Sequence, residues 1–168
     1  MEKGQDPVVD YTSLYRAAEI DAEIRDWAAS WPKGDSREVA GLLYKQMVWV
    51  YLWRTIYPPN ATTWEPDLKI TQAVNDAIVL IDLVPPNDPS QTLLLAPTFL
   101  IGCAAFEESQ RVPIRKSIAT IKAYTHLKNA DRALEVLEEV WRFMDARDER
   151  SWDWQAIAQG MGMDFLAT

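Results

Sequence analysis

DSREVAGLLYKQMVWVYLWRTIYPP, from Asp35 to Pro59, opens on an acid and closes on two prolines, and between them it reads as one long helix. Asp35 with Glu38 three residues on is a capping-box-like pair, able to satisfy the free amides of a first turn. Leu42, Leu43, Trp49, Val50, Trp53, Ile56 and Tyr57 spread over a wide apolar surface. At about 1.5 Å per residue the helix is roughly 33 Å long, and an apolar surface of that width is expected to run through the middle of the domain. Pro58 and Pro59 stop it.

Upstream, Ile20, Ile24, Trp27 and Trp31 recur at three- and four-residue spacing, which predicts a first helix from about Asp10 to Trp31 ended by Pro32 and Gly34, with Asp21 and Arg25 on its wet side. Downstream, a third segment from Thr63 to Pro86 places Leu68, Val74, Ile78, Ile81 and Leu83 around its axis before the Pro85–Pro86 break. A fourth starts at Asp88, Pro89 and Gln91 and is kinked or restarted at Pro97. The fifth covers about Arg111 to Thr125, with His126 at its end. The sixth opens on Asn129 as a cap and carries Leu134, Leu137, Trp141 and Met144, and Ser151 caps a short seventh. No stretch alternates with a period of two, and the connections are short. The expectation is one all-α domain over residues 1–168, a compact bundle or array of about seven helices in antiparallel hairpins. Within it, Gly102, Cys103, Ala104 and Ala105 form a run of small residues expected to let another helix come close, the partner being the long helix of Trp49 and Trp53.

Apolar residues make up 48% and charged residues 25% of the chain, a globular composition that should fold. A net charge of -8 repels a phosphate backbone unless basic residues gather. The nearest gathering, Arg111, Arg115, Lys116 and Lys122, falls on the fifth helix opposite Ile114, Ile118 and Ile121, and reads as a solvated face. One cysteine makes no internal disulfide and one histidine no histidine-rich metal site, so no cofactor is implied. The opening MEKGQDPVVDY has no apolar signal core, and the longest apolar run, about Thr92 to Phe106, is broken by Pro97 and followed by Glu107 and Glu108. Secretion and membrane spanning are not expected, and the chain reads as intracellular.

Few groups suggest reaction chemistry. Glu107 and Glu108 are adjacent on a helix and point about 100° apart, a poor arrangement for sharing a proton. Asp145, Asp148, Glu149 and Asp153 lack the spacing of a calcium loop and read as solvated charges. Cys103 sits among apolar neighbours that raise a thiol pKa. Eight tryptophans are the unusual count; core packing is the default reading, and a groove for a ligand or partner is the other.

Three runs, in order, resemble the fungal-specific transcription factor domain, the regulatory C-terminal part of fungal binuclear zinc cluster transcription factors. YKQMVWVYLWRTIY, from Tyr44 to Tyr57, is similar to its aromatic middle helix. LLLAPTFLIGCAAFEESQR, from Leu93 to Arg111, resembles its Pro-aromatic-aliphatic-Gly-Cys segment leading through an acidic turn to an arginine. RALEVLEEVWRFMDARDERSWDWQAI, from Arg132 to Ile157, looks like its closing pattern of a leucine-rich helix ending in Val-Trp, an acid-rich turn and an Asp-Trp pair. Ala96 and Ala104 depart from it, standing where the family often has tryptophan and glutamate. A single cysteine cannot form the six-cysteine zinc cluster, so the expectation is a fragment of a longer regulator or a stand-alone relative without DNA-binding part.

The resemblance implies a nuclear regulatory domain that does not itself bind DNA and takes a small-molecule effector or a partner protein, a homodimer included. The expected groove is formed by Trp49, Trp53, Phe99, Cys103 and Trp141, and its occupation shifts the helices between two packings. A small helical enzyme acting on an apolar molecule, and a dimerisation module, stay open as alternatives. Convergence of Asp82, Glu107, Asp145 and Asp153 on an apolar cavity would favour the enzyme.

Overall fold

The computed structural model describes residues 10–56 and 67–163. Short polar side chains mark where the helices begin. Asp10 accepts the amides of Thr12 and Ser13 to start α1 (Tyr11–Asp26). Asp35 accepts the amide of Arg37 at 2.9 Å, and Glu38 reaches back to the Gly34 amide at 2.6 Å, at the start of α2 (Ser36–Ile56). Asp67 caps α3 (Leu68–Leu83) through Lys69 and Ile70. Asp88 caps a 3-10 turn (Pro89–Leu93) with its proline in the first positions, and α4 (Leu95–Gly102) restarts two residues before Pro97, whose missing N–H falls in a first turn that has no use for it. Then come α5 (Glu108–Thr125), α6 (Asn129–Asp145), a second 3-10 turn (Glu149–Trp152) and α7 (Trp154–Gly160). The protein is all-α, with no strand among the described residues. Tyr57, the stop at Pro58 and Pro59, and the start expected at Thr63 lie outside those residues.

The hub is α4, eight residues long, packed against α2, α3, α5 and α6. Phe99, Ile101 and Gly102 are buried on it, and the core around them comes from Leu43 and Val50 of α2, Ile70 and Val74 of α3, Ile114 and Ile118 of α5, and Leu137 and Trp141 of α6. Two antiparallel hairpins can be read from cross-links. Asp21 meets Trp49 while Trp27 meets Gly41, so α1 runs against α2. Lys122 meets Asp131 while Arg115 meets Glu138, so α5 runs against α6.

Several boundaries and faces differ from expectation, each for a non-local reason. The first helix stops at Asp26 because Trp27 turns extended (ψ 133°) and lays its ring over Gly41, where a Cβ would sit 3.0 Å from its Cη2. Lys45 then donates to the freed carbonyls of Arg25 and Trp27, both at 2.9 Å. Trp27 and Trp31 are left exposed, as are Leu68 and Leu83 on α3. Asp21 is not on a wet side: it accepts the Trp49 indole N–H at 2.9 Å. Lys128 already has helical backbone, so Asn129 lies inside α6 and caps nothing. Ser151 is fully buried in the second 3-10 turn, and Asp153 caps α7 through the Ala156 amide. His126 ends α5 as expected, in left-handed conformation (φ 57°).

Gly102 is the last residue of α4, and Cys103 to Ala105 follow in the buried turn after it. The close approach is real, but at Gly102 its partners are α6 and α5, and α2 is met by the next residue, Cys103, through Arg54. A Cβ at residue 102 would come within 2.9 Å of Leu137 Cδ1 and 3.2 Å of Ile114 Cγ2. Trp141 completes the contact by donating its indole N–H to the Gly102 carbonyl at 2.8 Å. Gly102→Leu should therefore cost about 1 to 3 kcal/mol by overpacking, and Leu137→Ala and Trp141→Ala about 2 to 5 kcal/mol each. Denaturant melts check all three; an unshifted midpoint for any of them contradicts the packing described.

Candidate functional site

Residues four apart on a helix share a face, and Trp49 and Trp53 share the face of α2 that looks between α1 and α3. They line a groove of about 390 Å³ with Asp21 and Arg25 of α1 and Lys69, Gln72 and Asp76 of α3. Cations cover both rings: the Lys45 ammonium lies 5.3 Å from the Trp49 ring centre and the Lys69 ammonium 4.4 Å from that of Trp53. Asp21 pins Trp49 by its indole N–H and pairs with Arg25 at 2.5 Å. A second groove of about 300 Å³ opens on the other side of α1, over Ile24, Trp27, Tyr44 and Val48.

The five residues expected to form one groove are divided by the fold. Trp49 and Trp53 line it; Phe99, Cys103 and Trp141 lie in the core behind, each at most 2% exposed. Phe99 meets Trp154 edge to face at 5.1 Å, which uses its ring for packing. Burial pushes the Cys103 thiol up to about 12, with the Arg54 guanidinium opposing the rise. Of the seven tryptophans among the described residues Trp141 is buried and Trp53, Trp152 and Trp154 pack partly buried against the core, so core packing accounts for most of them, while Trp27 and Trp31 are exposed.

Arg111 is the functional residue that sequence reasoning assigned to solvent, and it is buried. Its Nε donates to the Ala105 carbonyl at 3.0 Å, one terminal nitrogen donates to the Phe106 carbonyl at 3.0 Å, and both terminal nitrogens grip the Asp145 carboxylate, at 2.8 and 2.9 Å. Its hydrogen bonds to Asp145 hold that carboxyl below the usual carboxylate range. Arg115, four residues on, lies over the Trp141 ring at 4.7 Å and pairs with Glu138 and Glu108. The arginine closing the acidic turn of the Leu93–Arg111 run was the signal available for Arg111.

Asp82, Glu107, Asp145 and Asp153 are all exposed. Asp145 is engaged by Arg111 and Asp153 by the first turn of α7. Among the described residues no group of three or more His, Cys, Asp or Glu is placed to hold a metal ion, and no helix is long and apolar enough to cross a membrane.

These features define a helical domain built around a small-residue turn, a buried arginine and an indole on a backbone carbonyl, with no assembled reaction centre among the described residues. The chain belongs to the fungal specific transcription factor domain family, whose sequence model matches residues 8–168. Comparison with curated proteins and with solved structures gave no match. The family is one of transcription factors and not an enzyme class, which makes a regulatory role the coarse function of the chain.

If Arg111 staples the turn, Arg111→Ala leaves two sheltered carbonyls without donors, and the expected loss is about 2 to 5 kcal/mol. Arg111→Lys should recover less than half of it, since an ammonium cannot reproduce the planar fork. Urea melts of the two variants measure this; a lysine variant as stable as wild type would contradict it.

Proposed function

We propose that this chain is a nuclear, non-catalytic regulatory domain that takes an effector or a partner helix in the Trp49–Trp53 groove and leaves DNA recognition to another part of the regulator. The observation that carries the reading is the mounting of α1. Among the described residues α1 packs on α2 alone and buries only Ala17, yet it forms one wall of the groove. An element with so little burial opens at lower free energy than the core. Its hold on α2 is largely polar, the Trp49 indole on Asp21 and Lys45 on the carbonyls of Arg25 and Trp27, with the Trp27 ring over Gly41 added at its end. An occupant that stacks on Trp49 and Trp53 competes for these groups. It thereby favours a packing in which α1 has shifted, as differential affinity for two states requires.

Two features support the negative parts of the proposal. The -8 charge is accompanied by pairing of the arginines: Arg16, Arg25, Arg37, Arg111, Arg115, Arg142 and Arg150 each have a carboxylate partner, which leaves little free positive charge for phosphates. The four carboxylates that could have formed a reaction centre are exposed, and hydrogen bonding to Arg111 lowers the pKa of Asp145, away from what a general acid needs.

Asp21→Ala tests the wall. Losing one such hydrogen bond is worth about 1 kcal/mol, so amide exchange across α1 should speed up about five-fold while α6 is unchanged. Equal protection of α1 in the variant would sink the idea of a movable wall. A gel-shift titration of the isolated chain with duplex DNA should show no appreciable binding at physiological salt, and tight salt-sensitive binding would refute the division of labour.

A further inference from the structure

A pattern runs through the indoles. Arg37 lies over the Trp31 ring, Lys45 over Trp49, Lys69 over Trp53, Arg54 over Trp152 and Arg115 over Trp141, at 4.4 to 5.8 Å from the ring centres. Trp154 meets Phe99 edge to face. Among the described residues that leaves Trp27, whose indole has no cation over its face and no acceptor for its N–H. One edge of the ring packs on Gly41, and the side chain is otherwise open to solvent, with Trp27 44% exposed.

Trp27 lines the smaller of the two grooves beside α1, about 300 Å³ in volume, together with Ile24, Tyr44 and Val48. That space is enough for a small molecule. The Tyr44 ring is fixed there, since its hydroxyl donates to the Leu93 carbonyl at 3.0 Å. The charges of the groove are unequal in their engagement. Lys45, the one cation among the lining residues, gives its ammonium to the carbonyls of Arg25 and Trp27, both at 2.9 Å. Glu23, the one carboxylate among them, stands four residues before Trp27 and has no side-chain partner, and neither has Asp26 one turn on. Both acids lie in the last turn of α1, where negative side chains oppose the helix dipole and so weaken the helix that carries them.

We propose that this groove is a receptor for a small organic cation, an ammonium carried on an apolar body, with its charge held between the open face of Trp27 and the Glu23 carboxylate. The ring quadrupole attracts a cation placed over its face, and the carboxylate supplies the counter-charge beside it. The body of the molecule lies on Ile24, Tyr44 and Val48. A neutral molecule of the same shape makes the apolar contacts and leaves Glu23 idle, and an anion meets Glu23 as a like charge. Five of the other described indoles already carry a cation of the protein itself, which closes their faces to such a ligand. The receptor shares no lining residue with the Trp49–Trp53 groove, so it stands or falls independently of the function proposed above.

The full chain is titrated with phenethylammonium at constant ionic strength, with 2-phenylethanol as the neutral and phenylacetate as the anionic analogue of similar size. Calorimetry gives the Kd, and the indole N–H resonance of Trp27, assigned with Trp27→Leu, gives the place of binding. Phenethylammonium should move that resonance saturably, leave that of Trp53 unmoved, and bind about five- to ten-fold more tightly than 2-phenylethanol, with phenylacetate weaker than both. Glu23→Gln changes an exposed side chain, so it should keep the melting temperature, weaken phenethylammonium about three-fold and leave 2-phenylethanol as it was. Trp27→Leu keeps an apolar side chain and removes the ring, and should lower the preference for the ammonium over the alcohol about three-fold. No saturable shift at Trp27, as for a groove covered by a second copy of the chain, overturns the proposal. So does a shift at Trp53 instead, an equal affinity for ammonium and alcohol, or an unchanged Kd for the ammonium in Glu23→Gln or an unchanged preference in Trp27→Leu.

Discussion

The contact on which the other packing depends is one guanidinium closing on two carbonyls and one carboxylate. Arg111 stands in the first turn of α5 and holds the end of the turn after α4 and the end of α6 at once. With that turn fixed, Gly102 faces Leu137 and Ile114, and its carbonyl is aimed at the Trp141 indole. Arg115 then covers the outer face of the same indole and pairs with Glu138. The α4–α5–α6 core is therefore a polar clamp and an apolar contact that specify each other. Gln110 extends the clamp to α3, accepting the amides of Phe106 and Glu107 and donating to Asn75 at 2.9 Å.

What was legible in the sequence is what is satisfied within four residues along the chain. Asp35 with Glu38 and Asp88 with Pro89 close their own first turns, so composition and spacing were enough to find them. The buried face of α6 was legible too, because Leu137, Trp141 and Met144 repeat with the helical period and all three are buried. The end of α1 was not legible. Trp27 continues the spacing of Ile20 and Ile24, and only the absent side chain at Gly41, on another helix, draws it out of the pattern. Arg111 failed for the same reason at greater range, since its carboxylate partner is 34 residues away and nothing local separates it from the half-exposed Arg115. The expected groove was legible by halves: helical spacing brought Trp49 and Trp53 together, while the place of Phe99, Cys103 and Trp141 behind them depends on how α4 and α6 cross the core.

The molecule thus has two grades of attachment. α4, α5 and α6 are joined through buried contacts, whereas α1 is joined to α2 by a half-buried lysine, an indole N–H and a ring over a glycine. A regulatory domain gains from that difference, because a signal moves the weakly joined part without unfolding the rest.

The manner in which Arg111 holds the chain after α4 has an evolutionary side. It recognises the carbonyls of residues 105 and 106, groups that every amino acid carries, and no side chain there takes part in the grip. Substitution at position 106 therefore leaves the clamp's acceptors in place, and the path of the turn is inherited from a single codon on α5. A change at that half-buried position reshapes the surface it presents while the crossing of the helices stays the same.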